Sequence, residues 1–180
     1  MPEFTEFPKI HRLFREMIVT EKLDGTNAQV FISEDGLTLT AGSRTRWITP
    51  EDDNFGFARW CRDNETELIQ LGPGKHFGEW WGQGIQRNYG LTEKRFSLFN
   101  VSKWTDDSVR PACCSVVPVL HSGIFDTGTV QEVMDSLQSE GSRAAPGFMK
   151  PEGVVVFHVP ANRCFKATIE KDEEHKTFKK

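Results

Sequence analysis

The sequence predicts an α+β domain, with antiparallel β-sheets and helices packed outside them. Three observations point there. Runs of β-branched and aromatic residues of strand length are punctuated by Asp-Gly and Pro-Gly turn signals. Helix-start signals precede two stretches of the chain, around Thr49 and around Thr129. Aromatic residues, 14 Phe and 5 Trp, can wall a packed core.

Taken in order, "EMIVTEK" reads as a strand, "LDGTN" as a turn and "AQVFIS" as a second strand. "EDG" is another turn and "LTLTAGS" a third strand. Thr49 can cap a helix, Pro50 suits its first position, and the acidic residues that follow suit a helix N-terminus. That helix should stop by Gly72-Pro73-Gly74. "KHFGEWWG" and "RFSLFNVSKW" are strands joined by a polar segment from Gln83 to Lys94, and "SVVPVL" is a short strand. Thr129-Val130-Gln131-Glu132 matches a capping box, and Val130, Val133, Met134 and Leu137 form one apolar helical face ending at Gly141. "GVVVFHV" and "RCFKATI" make a last strand pair around Pro160-Ala161-Asn162, followed by a charged tail.

A length of 180 residues suits a single domain over residues 1–180. Net charge is −4 and the isoelectric point about 5.8, which argues against coating nucleic acid by bulk electrostatics. A local basic groove needs only a few clustered Lys and Arg. Cys61, Cys113, Cys114 and Cys164 lack zinc-ligand spacing, and no signal peptide is evident, so a cytoplasmic protein is expected. No apolar run is long enough for a membrane span.

Several residues are placed for chemistry. Lys22 sits between a β-branched run and the turn Asp24-Gly25-Thr26-Asn27, where an amine can be held still beside backbone N–H groups. Taken alone, a solvated hairpin lysine is the better reading of such a short motif. Arg44 and Arg46 alternate, so they share a face if the chain stays extended. Glu79 stands within an aromatic strand and needs a partner there. Phe96 and Phe99 offer rings, at least one of which belongs to the core. Glu152 precedes a strand that reads as buried, and Lys166 lies inside another apolar strand.

In this order, "EKLDGTN", "SRTRW", "FGEWWG", "FSLFNV", "PEGVVV" and "FKAT" resemble motifs I, Ia, III, IIIa, IV and V of the covalent nucleotidyltransferases. That superfamily comprises ATP-dependent RNA and DNA ligases and mRNA capping enzymes. The Gly-Thr-Asn ending of the first motif is most similar to RNA ligases of the RNA-repair branch. The resemblance implies a ligase adenylation fold using ATP and Mg²⁺ or Mn²⁺. It implies that Lys22 attacks the α-phosphorus to form lysyl-AMP, with Lys166 neutralising the α-phosphate and lowering the pKa of Lys22. Glu152 would assist with metal and phosphate. Glu21 would face the adenine edge through backbone or side chain. Asp24 and Gly25 would shape the turn, with Asn27 near the phosphate or the incoming end. Arg44 would contact ribose or phosphate, Glu79 the ribose hydroxyls, and Phe99 would stack on adenine, with Phe96 the second choice.

The expected activity is joining of 3′-hydroxyl and 5′-phosphate ends, RNA favoured over DNA, by a monomer without membrane attachment. Alternatives are a GTP-using guanylyltransferase, a DNA ligase, or a non-catalytic binder of nucleic-acid ends. A groove would rely on Arg12, Arg15, Arg44, Arg46, Arg87, Lys94 and Arg95. The family often has a second motif V lysine where this chain has Thr168, so Lys171 or Arg163 would substitute or the second step would be weaker. No separate C-terminal nucleic-acid-binding domain is expected.

Overall fold

The computed structural model describes residues 1–170. Lys171 and the charged tail lie outside the described residues. Two sheets form the frame. The first has the order β10-β9-β1-β8, with β1 at Glu16–Lys22, β8 at Val119–Ile124, β9 at Gly153–His158 and β10 at Arg163–Thr168. The second has the order β4-β3-β2-β5-β6-β7. Its strands are β2 (Thr26–Ile32), β3 (Leu39–Ser43), β4 (Trp47–Ile48), β5 (Gly74–Gly82), β6 (Lys94–Leu98) and β7 (Cys114–Val116). All pairings are antiparallel except that of β6 with β7. The α+β architecture is as expected.

Each sheet buries one face. Val30, Ile32, Trp80, Phe96 and Leu98 pack with Phe57, Cys61 and Leu68 of the short helices α1 (Phe57–Asp63) and α2 (Glu65–Leu68). Met17, Val19, Val154 and Val156 pack against Met134 and Leu137 of α4 (Thr127–Glu140). Leu23, Trp81, Tyr89, Val117 and Ala145 form a third cluster at the crossover from β1 to β2.

Several local expectations are corrected. The Thr49-Pro50 start does not nucleate a helix; α1 begins at Phe57. The Asp53 carboxylate accepts from the backbone N–H groups of Ala58 and Arg59, supplying the cap that the helix needs. "RFSLFNVSKW" is strand only to Leu98. Asn100 then caps α3 (Val101–Trp104), its side chain accepting from the Lys103 N–H. The N-cap of α4 is Asp126, whose carboxylate accepts from the Thr129 N–H at 2.7 Å, so Thr129 lies inside the helix. "SVVPVL" belongs to two strands in different sheets, broken before Pro118, which has no N–H for a ladder. Arg44 and Arg46 do not continue β3: the chain turns there, and the Ser43 N–H donates to the Arg46 carbonyl at 2.8 Å.

The turn "LDGTN" is no hairpin within one sheet. β1 belongs to the first sheet and β2 to the second, so Leu23-Asp24-Gly25 is the bridge between them. Lys22 therefore stands where the two sheets meet.

Candidate active site

Strand alternation sends neighbouring side chains of β1 opposite ways. Met17, Val19 and Glu21 turn towards α4, and Lys22 turns the other way. Lys22 pairs with Gly153, which in turn pairs with Thr168. Glu152, the residue before β9, is thus brought beside Lys22 across 130 residues of sequence. The Lys22 Nζ donates to the Glu152 Oε2 at 2.7 Å. Glu152 is only half-buried, so its second oxygen is within reach of a ligand.

Glu79 reaches in from β5. Its Oε1 accepts from the Gly25 backbone N–H at 3.1 Å and its Oε2 from the Asn27 side-chain amide at 3.1 Å. A Cβ on Gly25 would lie 2.4 Å from the Trp80 carbonyl oxygen and 2.7 Å from the Trp81 Cβ, so only glycine lets the crossover approach β5 this closely. Glu79 is buried, and that burial pushes its carboxyl up to about 7 against the opposing charge of Lys22.

A raised carboxyl stabilises the fold below its unfolded value, and that contribution is lost as pH rises through the folded value. The Glu79→Gln variant should therefore match the wild type near pH 4.5. It should become the more stable of the two by about 3 kcal/mol above pH 8. Denaturant titrations at both pH values would check this; an equal offset at both would exclude ionisation as the cause.

A second set of contacts pins the crossover from outside. The Asp24 N–H donates to the Tyr89 hydroxyl at 2.8 Å, and the Tyr89 ring packs on Trp81 and Phe148. The Arg87 Nε donates to the Asp24 Oδ2 at 2.9 Å, and its Nη1 to the Lys150 carbonyl at 3.2 Å. Arg87 therefore ties the residue two after Lys22 to the residue two before Glu152. Within the polar segment from Gln83 to Lys94, Tyr89 is a site residue that local pattern does not single out. The one signal available was that this is the chain's single tyrosine.

The Arg87 contacts give a discriminating prediction. If Arg87 positions the turn, Arg87→Ala should slow covalent labelling of Lys22 by nucleotide about tenfold or more with no RNA added. A single-turnover labelling assay would check it; loss appearing only with RNA present would restore the nucleic-acid role.

The other expected residues fall as follows. The Glu21 carboxylate faces away from Lys22 and accepts from the Ser142 hydroxyl at 2.6 Å and from the N–H groups of Arg143 and Ala144 at 2.8 and 3.0 Å. Its backbone alone is left for an adenine edge. Phe96 is core, with its ring 5.0 Å from that of Phe57, whereas Phe99 is 41% exposed. Lys166 is not buried in an apolar strand; it is exposed on the edge strand β10. It shares the Lys22 face, one row back, paired with Val155, which pairs with Thr20. Glu152, an anion, is the group bonded to the Lys22 amine. Arg163 has the alternation of Phe165 and Ala167 and stands on the opposite face, so it does not substitute at the Thr168 position.

Three of the expected groove cations are already engaged. Arg46 pairs with Asp52, the Lys94 amine donates to the Phe55 carbonyl, and Arg95 pairs with Glu93. Arg15 lies just before β1, at the far end from Lys22, and Arg12 precedes it. Arg44 is exposed and has no hydrogen-bond or ion-pair partner among the described residues. Among the described residues no helix is long and apolar enough to cross a membrane.

Comparison with known proteins bears on the family and the fold. The RNA ligase family model matches residues 15–177. The fold is similar to that of Naegleria gruberi RNA ligase. An apo variant of that enzyme is 21% identical with a TM-score of 0.63, over 90% of this chain and 52% of that one. A variant with ATP and Mn is 20% identical with a TM-score of 0.62, over 88% and 51%. The enzyme with PPi is 20% identical with a TM-score of 0.61, over 93% and 57%. At this identity the likeness is one of fold, and the chain spans about half the length of those enzymes. The family match takes in both sheets, the crossover and every residue gathered around Lys22, and on it the chain belongs to the RNA ligase family.

Proposed function

We propose that this domain is the ATP-dependent adenylation unit of an RNA ligase, with Lys22 as its nucleophile. The observation that carries the reading is the Lys22–Glu152 contact of 2.7 Å at the junction of the sheets, with Glu79 beside it. A surface hairpin lysine has no reason to be met there by a carboxylate 130 residues away, with a second carboxylate buried beside the crossover.

The ammonium of Lys22, part-exposed, gives one proton to solvent water and, as a free amine, leaves Glu152. Its lone pair then attacks the α-phosphorus of ATP, the bond to the β-phosphate oxygen breaks, and pyrophosphate departs, leaving a phosphoramide to AMP. An oxygen of an RNA 5′-phosphate next attacks the same phosphorus. The P–N bond breaks and Lys22 regains a proton. A 3′-hydroxyl then attacks the activated 5′-phosphate, losing its proton as AMP leaves.

Phosphoryl transfer depends on positioning and charge neutralisation, and the residues suit both. Glu79, clasped by the Gly25 N–H and Asn27, is placed to accept a ribose hydroxyl. Phe99 offers an exposed ring to adenine. Lys166, exposed on the Lys22 face one row back, offers an amine for phosphate oxygens. The oxygen donor of Glu152 suits a hard divalent cation, which binds through one or two carboxylates plus substrate phosphates. Such a cation would neutralise phosphate charge. The ATP, Mn and PPi complexes of the Naegleria enzyme support the same nucleotide chemistry.

The test is incubation with ATP labelled in the α-phosphate and Mg²⁺ or Mn²⁺, beside an equal incubation with labelled GTP. Label should attach covalently from ATP, and sealing should exceed background on RNA ends more than on DNA ends. No covalent label, or preferential label from GTP, would overturn the reading.

A further inference from the structure

The face of the second sheet that carries Asn27 and Glu79 continues away from Lys22, and its next row is aromatic. Trp47 pairs with Gly42, Gly42 with Gln29, and Gln29 with Phe77. The Phe99 N–H donates to the Phe77 carbonyl, which extends the row past the end of β6. Trp47 is 48% exposed and Phe77 53% exposed. A Cβ on Gly42 would come 2.9 Å from the Trp47 ring, so the glycine is a seat that lets the indole lie down against the sheet. The Phe31 ring, one row further on, stands 6.1 Å from the Trp47 ring. Apolar surface scattered singly is ordinary, but rings aligned across neighbouring strands on a face that solvent reaches are not.

Two cations border this row. Lys75 lies two residues before Phe77 on β5 and Arg44 two residues after Gly42, both exposed. Neither has a hydrogen-bond or ion-pair partner among the described residues. Flat rings interleaved with the amide of Gln29 and bordered by unpaired cations match bases joined by phosphates better than the aliphatic face of a protein helix.

We propose that Trp47, Phe77 and Phe31 form a stacking platform for unpaired bases of the RNA strand being joined, with Lys75 and Arg44 meeting its phosphates. The platform rests on the RNA-joining reading for its choice of ligand. Its rings are distinct from that of Phe99, assigned to adenine, which adjoins the row beside Phe77. Continuity with the Asn27–Glu79 row places the strand's end next to the crossover.

The test is fluorescence anisotropy with an end-labelled single-stranded oligouridylate at fixed salt. Trp47→Ala and Phe77→Ala should each weaken binding about tenfold, while Trp47→Phe keeps most of it. The same two alanine variants should label Lys22 from α-labelled ATP at the wild-type rate, which also shows that they fold. Alanine variants that bind the oligonucleotide as the wild type does would overturn the platform, as would a wild-type chain that binds none. Equal losses for a blunt RNA duplex would overturn it too, since paired bases cannot stack on the sheet. Failure of ATP labelling with oligonucleotide binding intact would count against the adenylation reading and leave the platform standing.

Discussion

Lys22→Ala should accept no covalent label from ATP, and Lys22→Arg should accept none either. The arginine keeps a positive charge near Glu152 but stays protonated, so it has no lone pair to give phosphorus. The loss should be complete, because among the described residues Lys22 is the lysine bonded to Glu152 beside the crossover. The comparison matters because the two variants separate charge from nucleophilicity. If Lys22 served only to pair with Glu152, the arginine variant would retain activity. The Lys22–Glu152 pair is part-exposed, so breaking it should cost about 1 kcal/mol or less, and the alanine variant should remain folded. Label that survives in folded Lys22→Ala would move the nucleophile elsewhere.

Glu21→Ala should produce the largest loss of stability at a residue so close to the chemistry. The carboxylate is 1% exposed and is the acceptor for Ser142, Arg143 and Ala144, so its removal strands three donors in the loop after α4. Charged hydrogen bonds in such a setting make a cost of about 3 kcal/mol reasonable, with some relief if water enters. For a domain of this size that lowers the melting temperature by roughly 6–12 °C. Glu21→Gln should lose less, since one oxygen still accepts, but its amide hydrogens face donors. Thermal melts of both variants would check the order. An unchanged melting temperature in Glu21→Ala would mean the loop is held by other contacts.

The neighbouring residues Glu21 and Lys22 show what could be read from order alone and what could not. Alternation along a strand places them on opposite faces, and that much is local. Which face holds the nucleotide is not local. A carboxylate next to a nucleophilic lysine invites a ligand role, yet here it anchors a loop more than a hundred residues away in sequence. Phe96 and Phe99 divide differently. Their odd and even positions in "FSLFNV" already separate a core ring from an outer one, once Phe96 is seen to pack on Phe57. The helix near Thr49 was misplaced because Thr-Pro followed by acids is a sound local start signal, while Asp53 offered a stronger cap further on.

Most strand positions, the α+β class and the order of the residues that gather around Lys22 are legible from local pattern, because side-chain alternation, turn residues and motif spacing are properties of neighbours. Only the tertiary structure decided that Leu23-Asp24-Gly25 bridges two sheets rather than closing a hairpin. It also decided that Glu152 meets Lys22, that Arg87 and Tyr89 grip the bridge, and that Arg46 and Lys94 are held at the surface by Asp52 and the Phe55 carbonyl. The physical reason is that a strand's partner is chosen by ladder hydrogen bonds and buried surface contributed from distant parts of the chain. No local pattern encodes that choice.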